Sequence, residues 1–378
     1  MAKKTDWMAK LSTLEGAVTE RRDVHSTVIQ TASPSLNFTY GHGWGLPLGF
    51  NMILYGSPGG GKSLICNMMA AGVHRDYSDG FVIKFNTEFR EEAQTDAGLV
   101  KALGIDMDRY MGINANHPAL IYDQIEKQVA AWCQEGMNLK LVIIDSLNSV
   151  QGRRALETDS VVKASIGDVA AVNKEGLKRI LPIQRKHGFS VVMTSHVAIE
   201  MDPWEIKRNA GSPYKNGASV GVQHNAEYSM LVESNRNKDA REDLLGNQFL
   251  DTNLKDVADS NKGEETAKKI KVCMKKSSFG VKGRNGEFTL DYKHGIINTH
   301  EEVFLLATRR GVVERPNATA YVVGERKWTG KEAFLTALKE DTDLQKQLLK
   351  ELQRRDLDGQ MASYDAEDAK TNAAEESA

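Results

Sequence analysis

Eight consecutive residues offer the plainest chemistry in the chain. Gly56-Ser57-Pro58-Gly59-Gly60-Gly61-Lys62-Ser63 fits the spacing G-x-x-x-x-G-K-[ST] in full. Glycines at this density let successive backbone N–H groups converge on an anion, and a helix N-terminus behind them adds its dipole. Lys62 is expected to reach the β- and γ-phosphates of a nucleotide, and the Ser63 hydroxyl to sit on Mg²⁺. A bare match arises by chance, so its setting decides. Asn51–Tyr55 reads as a strand ahead of the loop, and an amphipathic helix is predicted from Lys62 to about His74. That is the arrangement the chemistry requires, and it points to ATP with Mg²⁺.

Two carboxylates complete this reading. Asp145 ends the apolar run Leu141-Val142-Ile143-Ile144, where it is expected to hold Mg²⁺ directly or through water. Glu88 lies just past a second apolar strand, Phe81–Phe85. Ligands of open α/β sheets bind beyond the carboxyl ends of the strands. On spacing alone, Glu88 is either the group that activates water or a solvated loop carboxylate.

The elements that must position these residues are legible as periodicity. Helices are predicted over 91–103, from Pro118 to about Gln134, and from Gly167 to about His187, the last with Pro182 kinking it near its end. Leu139–Ile144 and Phe189–Thr194 read as strands buried on both faces. Strands alternating with helices predict an α/β fold with a twisted, largely parallel sheet. Further strands are expected near Lys269–Met274 and Glu287–Tyr292. We divide the chain into an N-terminal helical or oligomerisation extension (1–32), a core (33–297), a small C-terminal region (298–355) and an acidic, disordered tail (356–378). Trp7, Met8, Leu11, Leu14 and Val18 lie at helical spacing in the extension. That helix either packs on its own domain or reaches a neighbour.

Composition bounds the rest. The 378 residues carry a formal net charge of −2, so any nucleic-acid site is a local basic surface. The three cysteines, Cys66, Cys133 and Cys273, form neither a metal-ligand spacing nor a disulfide framework. A reducing, cytoplasmic setting is expected, with no membrane partner, since no stretch approaches roughly 18 apolar residues. Val197 to Gln223 combines glycines with Trp204, Tyr214, Lys207, Arg208 and Lys215. Aromatic faces stack on bases and cations neutralise phosphates, so this stretch reads either as a single-stranded nucleic-acid loop or as a flexible surface loop. Residues 235–262 are polar and charged and read as a mobile excursion.

Taken in order, these residues resemble the RecA-type recombinase family, most closely its members from T-even phages. The likeness spans about residues 30–300. It rests on the lead-in Ser33-Pro34-Ser35-Leu36-Asn37 and Gly45-Leu46-Pro47-Leu48-Gly49, the glycine-rich loop, and Thr87-Glu88-Phe89. Ile144-Asp145-Ser146-Leu147 and the strand-end pair Ser195-His196 extend it. The resemblance implies a RecA-like P-loop ATPase core. It makes Glu88 the water-activating glutamate and His196 a sensor of the γ-phosphate. It implies a first DNA-binding loop at Gly152 to Gly167, with Arg153 and Arg154, and a second at Val197 to Gln223. Lys276, with Lys275 as second choice, is implied to reach the ATP of the neighbouring subunit. Here the chain departs from the family, which has two lysines flanking one residue where this chain has adjacent lysines.

The implied activity is a DNA-dependent ATPase that forms homo-oligomeric filaments on single-stranded DNA and exchanges strands with double-stranded DNA. Single-strand-binding and mediator proteins are further implied partners. A phage member would work in the host-cell cytoplasm. Two other readings stand beside it: a hexameric RecA-fold helicase, and a non-catalytic recombination mediator. The tail either competes with DNA for the basic loops or keeps the protein soluble.

Overall fold

The computed structural model describes residues 13, 25–41, 43–94, 97–148, 166–208, 213–234, 267–279 and 282–358. The predicted helix at 6–20, save Thr13, lies outside them, as do Arg153, Arg154 and residues 235–266.

β-Branched and other apolar residues buried on both faces build the centre of the molecule. In chain order the strands that position the site are β1 (Asn51–Tyr55), β2 (Phe81–Asn86), β3 (Tyr110–Asn114), β4 (Leu139–Asp145), β5 (Ser190–Ser195), β6 (Val197–Ile199) and β7 (Tyr214–Asn216). They continue with β8 (Tyr228–Ser234), β9 (Ala267–Ser277), β10 (Asn285–Asp291) and β11 (Gly295–Ile297). Nine of these form one sheet in the order β11-β10-β9-β8-β1-β5-β4-β2-β3. From β8 to β3 every pairing is parallel, while β8, β9, β10 and β11 pair antiparallel. The fold is thus α/β with a mixed, mostly parallel sheet.

The helices are α1 (Pro34–Phe38), α2 (Lys62–Asp76), α3 (Glu91–Gln94), α4 (Ala97–Leu103), α5 (Pro118–Gln124) and α6 (Ile166–His187). Then come α7 (Pro203–Arg208), α8 (Val220–Asn225), α9 (Thr299–Arg309), α10 (Lys331–Glu340) and α11 (Thr342–Leu357). Within the predicted 91–103 helix the described residues are helical, in α3 and α4. Beyond α5 the chain passes through a π-helical turn at Ile125–Val129 into Ala130–Gln134. Helix α6 continues through Pro182, which faces solvent, while Asn173, Leu177, Ile180 and Gln184 line its buried side at i, i+4 and i+3 spacing.

Apolar side chains pack on both faces of the sheet. One layer gathers α2 residues such as Ile65 and Met69 against Leu54, Ile143 and Val192. The other gathers Ile121, Tyr122, Leu177 and Ile180 against Ile53, Val142 and Val191. A third cluster joins α9, α10 and α11 to two lead-in aromatics, Phe38 and Trp44. Arg284 on the loop before β10 pairs with Asp356 at 2.5 Å, and the Trp44 indole donates to the same carboxylate at 2.9 Å. Helix α11 therefore runs past the expected tail boundary at 356, and Asp356 is buried rather than part of a tail. Removing one member of such a buried pair costs about 3–5 kcal/mol. Among the described residues, no helix is long and apolar enough to cross a membrane.

A second buried carboxylate links α9 to the lead-in. Ser33 caps α1 and donates to Glu302 Oε2 at 2.6 Å, and the Ser35 N–H donates at 2.8 Å. Burial pushes the Glu302 carboxyl up to about 8, against the opposing effect of the Ser33 and Ser35 hydrogen bonds. A folded-state value above the unfolded one means stability that is full below about pH 4.5 and lost as pH rises toward 8. Glu302→Gln keeps an acceptor for both serines and removes the titration. Urea unfolding across pH 5–9 should show the wild type losing on the order of 4 kcal/mol relative to this variant.

Candidate functional site

Four neighbouring parallel strands, β1, β5, β4 and β2, end on the same side of the sheet. Their register sets Tyr55 beside Ser195 and Asn86 beside Asp145. Every expected catalytic residue except Lys276 follows one of these ends or stands on it.

The glycine-rich loop follows β1, whose five residues are all buried. A Cβ at Gly56 would lie 2.1 Å from the Val232 carbonyl oxygen, so the loop leaves β1 hard against β8. Gly61 caps α2 with φ of 105°, a left-handed conformation that favours glycine. Between them Ser57, Pro58, Gly59 and Gly60 turn back, and the Gly60 N–H donates to Ser57 O at 3.0 Å. Lys62 curls over this turn, donating to the carbonyls of Gly56 at 2.9 Å and Ser57 at 3.0 Å. Burial pulls the lysine below its ordinary value, and the carboxylates of Asp145 and Glu88 pull it back up.

Asp145 is gripped on both oxygens. Ser63 Oγ donates to Oδ2 at 2.6 Å, and Thr194 on β5 donates to Oδ1 at 2.5 Å. The turn after β2 is stitched to the turn after β4 through Thr87, whose N–H donates to Asp145 O at 2.7 Å. Thr87 Oγ1 donates to Ser146 O at 2.7 Å as well. Glu88 is fixed in the same turn. Its N–H donates to Asn86 Oδ1 at 3.0 Å, and its carboxylate accepts from Ser146 Oγ at 3.3 Å. Ser63 and Asp145 are hard oxygen donors, which suit Mg²⁺. Among the described residues no three His, Cys, Asp or Glu side chains gather to hold a metal.

His196 stands where β5 ends and the hairpin β6–β7 begins. Its N–H donates to Asn148 Oδ1 at 2.8 Å, and its carbonyl accepts from the Gly217 N–H at 3.0 Å. Its ring Nδ1 is buried and lacks a hydrogen-bond partner.

The stretch expected to be an open second loop is largely built. Strands β6 and β7 pair antiparallel, α7 lies between them, and α8 follows. Its aromatic residues divide. Trp204 is 76% exposed on α7, with Lys207 exposed on the same short helix and Arg208 ending it. Tyr214 instead packs against the α5–α6 side of the core, because β7 turns it inward. Lys215 is paired with Glu200 at 2.8 Å across the hairpin. Lys276 also differs from expectation. Its amine donates to Gln223 O at 2.7 Å and Ala226 O at 2.6 Å, closing the end of α8. Lysines suit helix C-termini, where carbonyls are left without helical partners. Lys275 is the extra residue of the bulge between β8 and β9.

Three residues of the site escape sequence reading. A cavity of about 420 Å³ opens beside the loop, lined by Gly59, Ser63, Leu99, Lys268 and Tyr292 among others. Lys268 Nζ donates to Gly59 O at 2.5 Å. Tyr292 and Leu99 come from distant segments, and nothing in their local sequence marks them. Lys84 carried a signal, a lysine within the apolar strand β2, and it lies 3.9 Å from Asp145. No protein-family model matches the chain, and a comparison with curated proteins finds no match.

The two aromatics give a clean test of this geometry. Trp204→Ala should leave thermal stability within about 0.5 kcal/mol, whereas Tyr214→Ala should cost about 1–3 kcal/mol in denaturant unfolding.

Proposed function

We propose that the chain is a DNA-dependent ATPase of the RecA type. In this reading it assembles on single-stranded DNA and promotes pairing and strand exchange with a duplex. The observation that carries the reading is the convergence of Lys62, Ser63, Asp145, Glu88 and His196 at four adjacent strand ends.

The loop 56–63 takes the phosphates of ATP on its backbone N–H groups and on Lys62, which exchanges two carbonyl partners for phosphate oxygens. Ser63 and Asp145 hold Mg²⁺, which, when bound, offsets the charge of the phosphate oxygens. Leu99 and Tyr292 offer the base an apolar and an aromatic wall. Glu88 orients the attacking water and takes its proton.

His196 reports the terminal phosphate. In this reading its ring, whose Nδ1 is without a hydrogen-bond partner, meets that phosphate, and its carbonyl holds the hairpin through Gly217, so a change at the ring is passed to residues 197–223. Trp204, Lys207 and Arg208 then meet DNA by stacking and phosphate contact, together with Arg153 and Arg154. Tyr214 packs inward and Lys215 pairs with Glu200, so both brace the hairpin that carries this surface. For the contact with the ATP of a neighbouring subunit this reading takes Lys275, since the Lys276 amine is committed to α8.

The test is ATP turnover with and without single-stranded DNA, with negative-stain imaging in parallel. DNA-stimulated turnover with helical filaments is expected. Glu88→Gln should keep ATP binding and lose turnover by roughly 10²–10⁴-fold. Closed rings would assign a helicase, and neither stimulation nor assembly would remove the recombinase reading.

A further inference from the structure

Strand β2 is apolar from Phe81 to Phe85 except at Lys84, which is completely buried. An ammonium in such a place is costly unless it is paired. Its nearest carboxylate is Glu91 on α3, at 3.4 Å, and its next is Asp145 Oδ2, at 3.9 Å. The same Asp145 oxygen accepts the Ser63 hydroxyl. Glu91 is itself held in place, by the Tyr110 hydroxyl at 2.7 Å on Oε1 and by Asn86 Nδ2 at 3.1 Å on Oε2. The three charges therefore form a fixed set: two carboxylates and one ammonium, with one net negative charge.

We propose that Lys84 is a built-in counter-cation of the metal site. It is a positioning residue that shares Asp145 with the divalent ion and so sets the Mg²⁺ concentration at which the nucleotide is taken up. The inference rests on the nucleotide reading above. Its logic is electrostatic. Opposite charges 4 Å apart in a protein interior interact strongly, and a second cation brought to Asp145 meets repulsion from the first. Glu91 moderates that repulsion by drawing the ammonium toward itself. Taking away Lys84 raises the local charge to −2, and taking away the Glu91 charge brings it to zero. The two changes must shift metal affinity in opposite directions, which a purely structural role for the cluster would not do.

The experiment is a Mg²⁺ titration of the full chain with N-methylanthraniloyl-ADP, read by fluorescence, with an EDTA baseline and circular dichroism to check folding. Lys84→Met should lower the Mg²⁺ half-saturation by roughly 5–10-fold, and Glu91→Gln should raise it by a similar factor. Binding in EDTA should change little in either variant. Half-saturation that stays put, or that moves the same way in both, overturns the proposal. Should Lys84→Met fail to fold, Glu91→Gln decides alone, because its amide keeps the shape of the carboxylate; an unchanged midpoint there is fatal to the idea. An unsubstituted chain that binds the analogue equally well with and without Mg²⁺ overturns this inference while leaving nucleotide binding intact. One that binds none at all overturns both.

Discussion

The carboxylate of Asp145 is held from three sides, by Ser63 from the start of α2, by Thr194 from β5 and by Lys84 from β2. Each partner belongs to a different parallel strand or the helix that follows one. The two hydroxyl contacts are charge-assisted hydrogen bonds, stronger and more directional than neutral ones, and Lys84 adds an ion pair, so this single group ties three strand ends together. The glycine-rich loop, the Glu88 turn and the start of the His196 hairpin inherit their positions from it. A shift of β4 along its neighbours by one residue would turn Asp145 to the opposite face and dissolve the constellation.

The same logic of buried charge recurs at the other end of the molecule. Glu302 and Asp356 both fasten the C-terminal helices to the lead-in, through Ser33 and Ser35 in one case and through Arg284 and Trp44 in the other. Apolar packing of Phe38 and Trp44 supplies area, but area is indifferent to register. The carboxylates give the contact its direction.

What could be read from the sequence follows the range of each interaction. The loop, Asp145 and the core strands were legible because strand period, glycine density and a terminal carboxylate are local patterns. Tyr214 and Lys276 were legible as residue types but not as roles. A tyrosine in a glycine-bearing stretch looks available for stacking, and only the β6–β7 pairing turns it inward. Lys276 looks like a basic turn, and only the fold brings the end of α8 to its amine. Lys268, Leu99 and Tyr292 were invisible because they lie far from the loop in sequence and only the fold brings them beside it. Asp356 was misplaced for a related reason. The stretch that begins with it is rich in acidic residues, and its partner Arg284 lies 72 residues earlier.

The strand order also sets a timetable for biosynthesis. Strand β1, which carries the glycine-rich loop, pairs with no strand close to it in sequence; its partners are β5 and β8. The Asn51 N–H finds its acceptor in Glu227, 176 residues later. At ribosomal rates of about 5–20 residues per second, the edge of β1 that β8 covers stays bare for about 10–35 s. Apolar strands left open for that long are the segments that nascent-chain chaperones cover. An early pause between β1 and β8 would therefore lengthen the exposure of the residues on which the nucleotide site is built, while a pause after residue 234 would leave it unchanged.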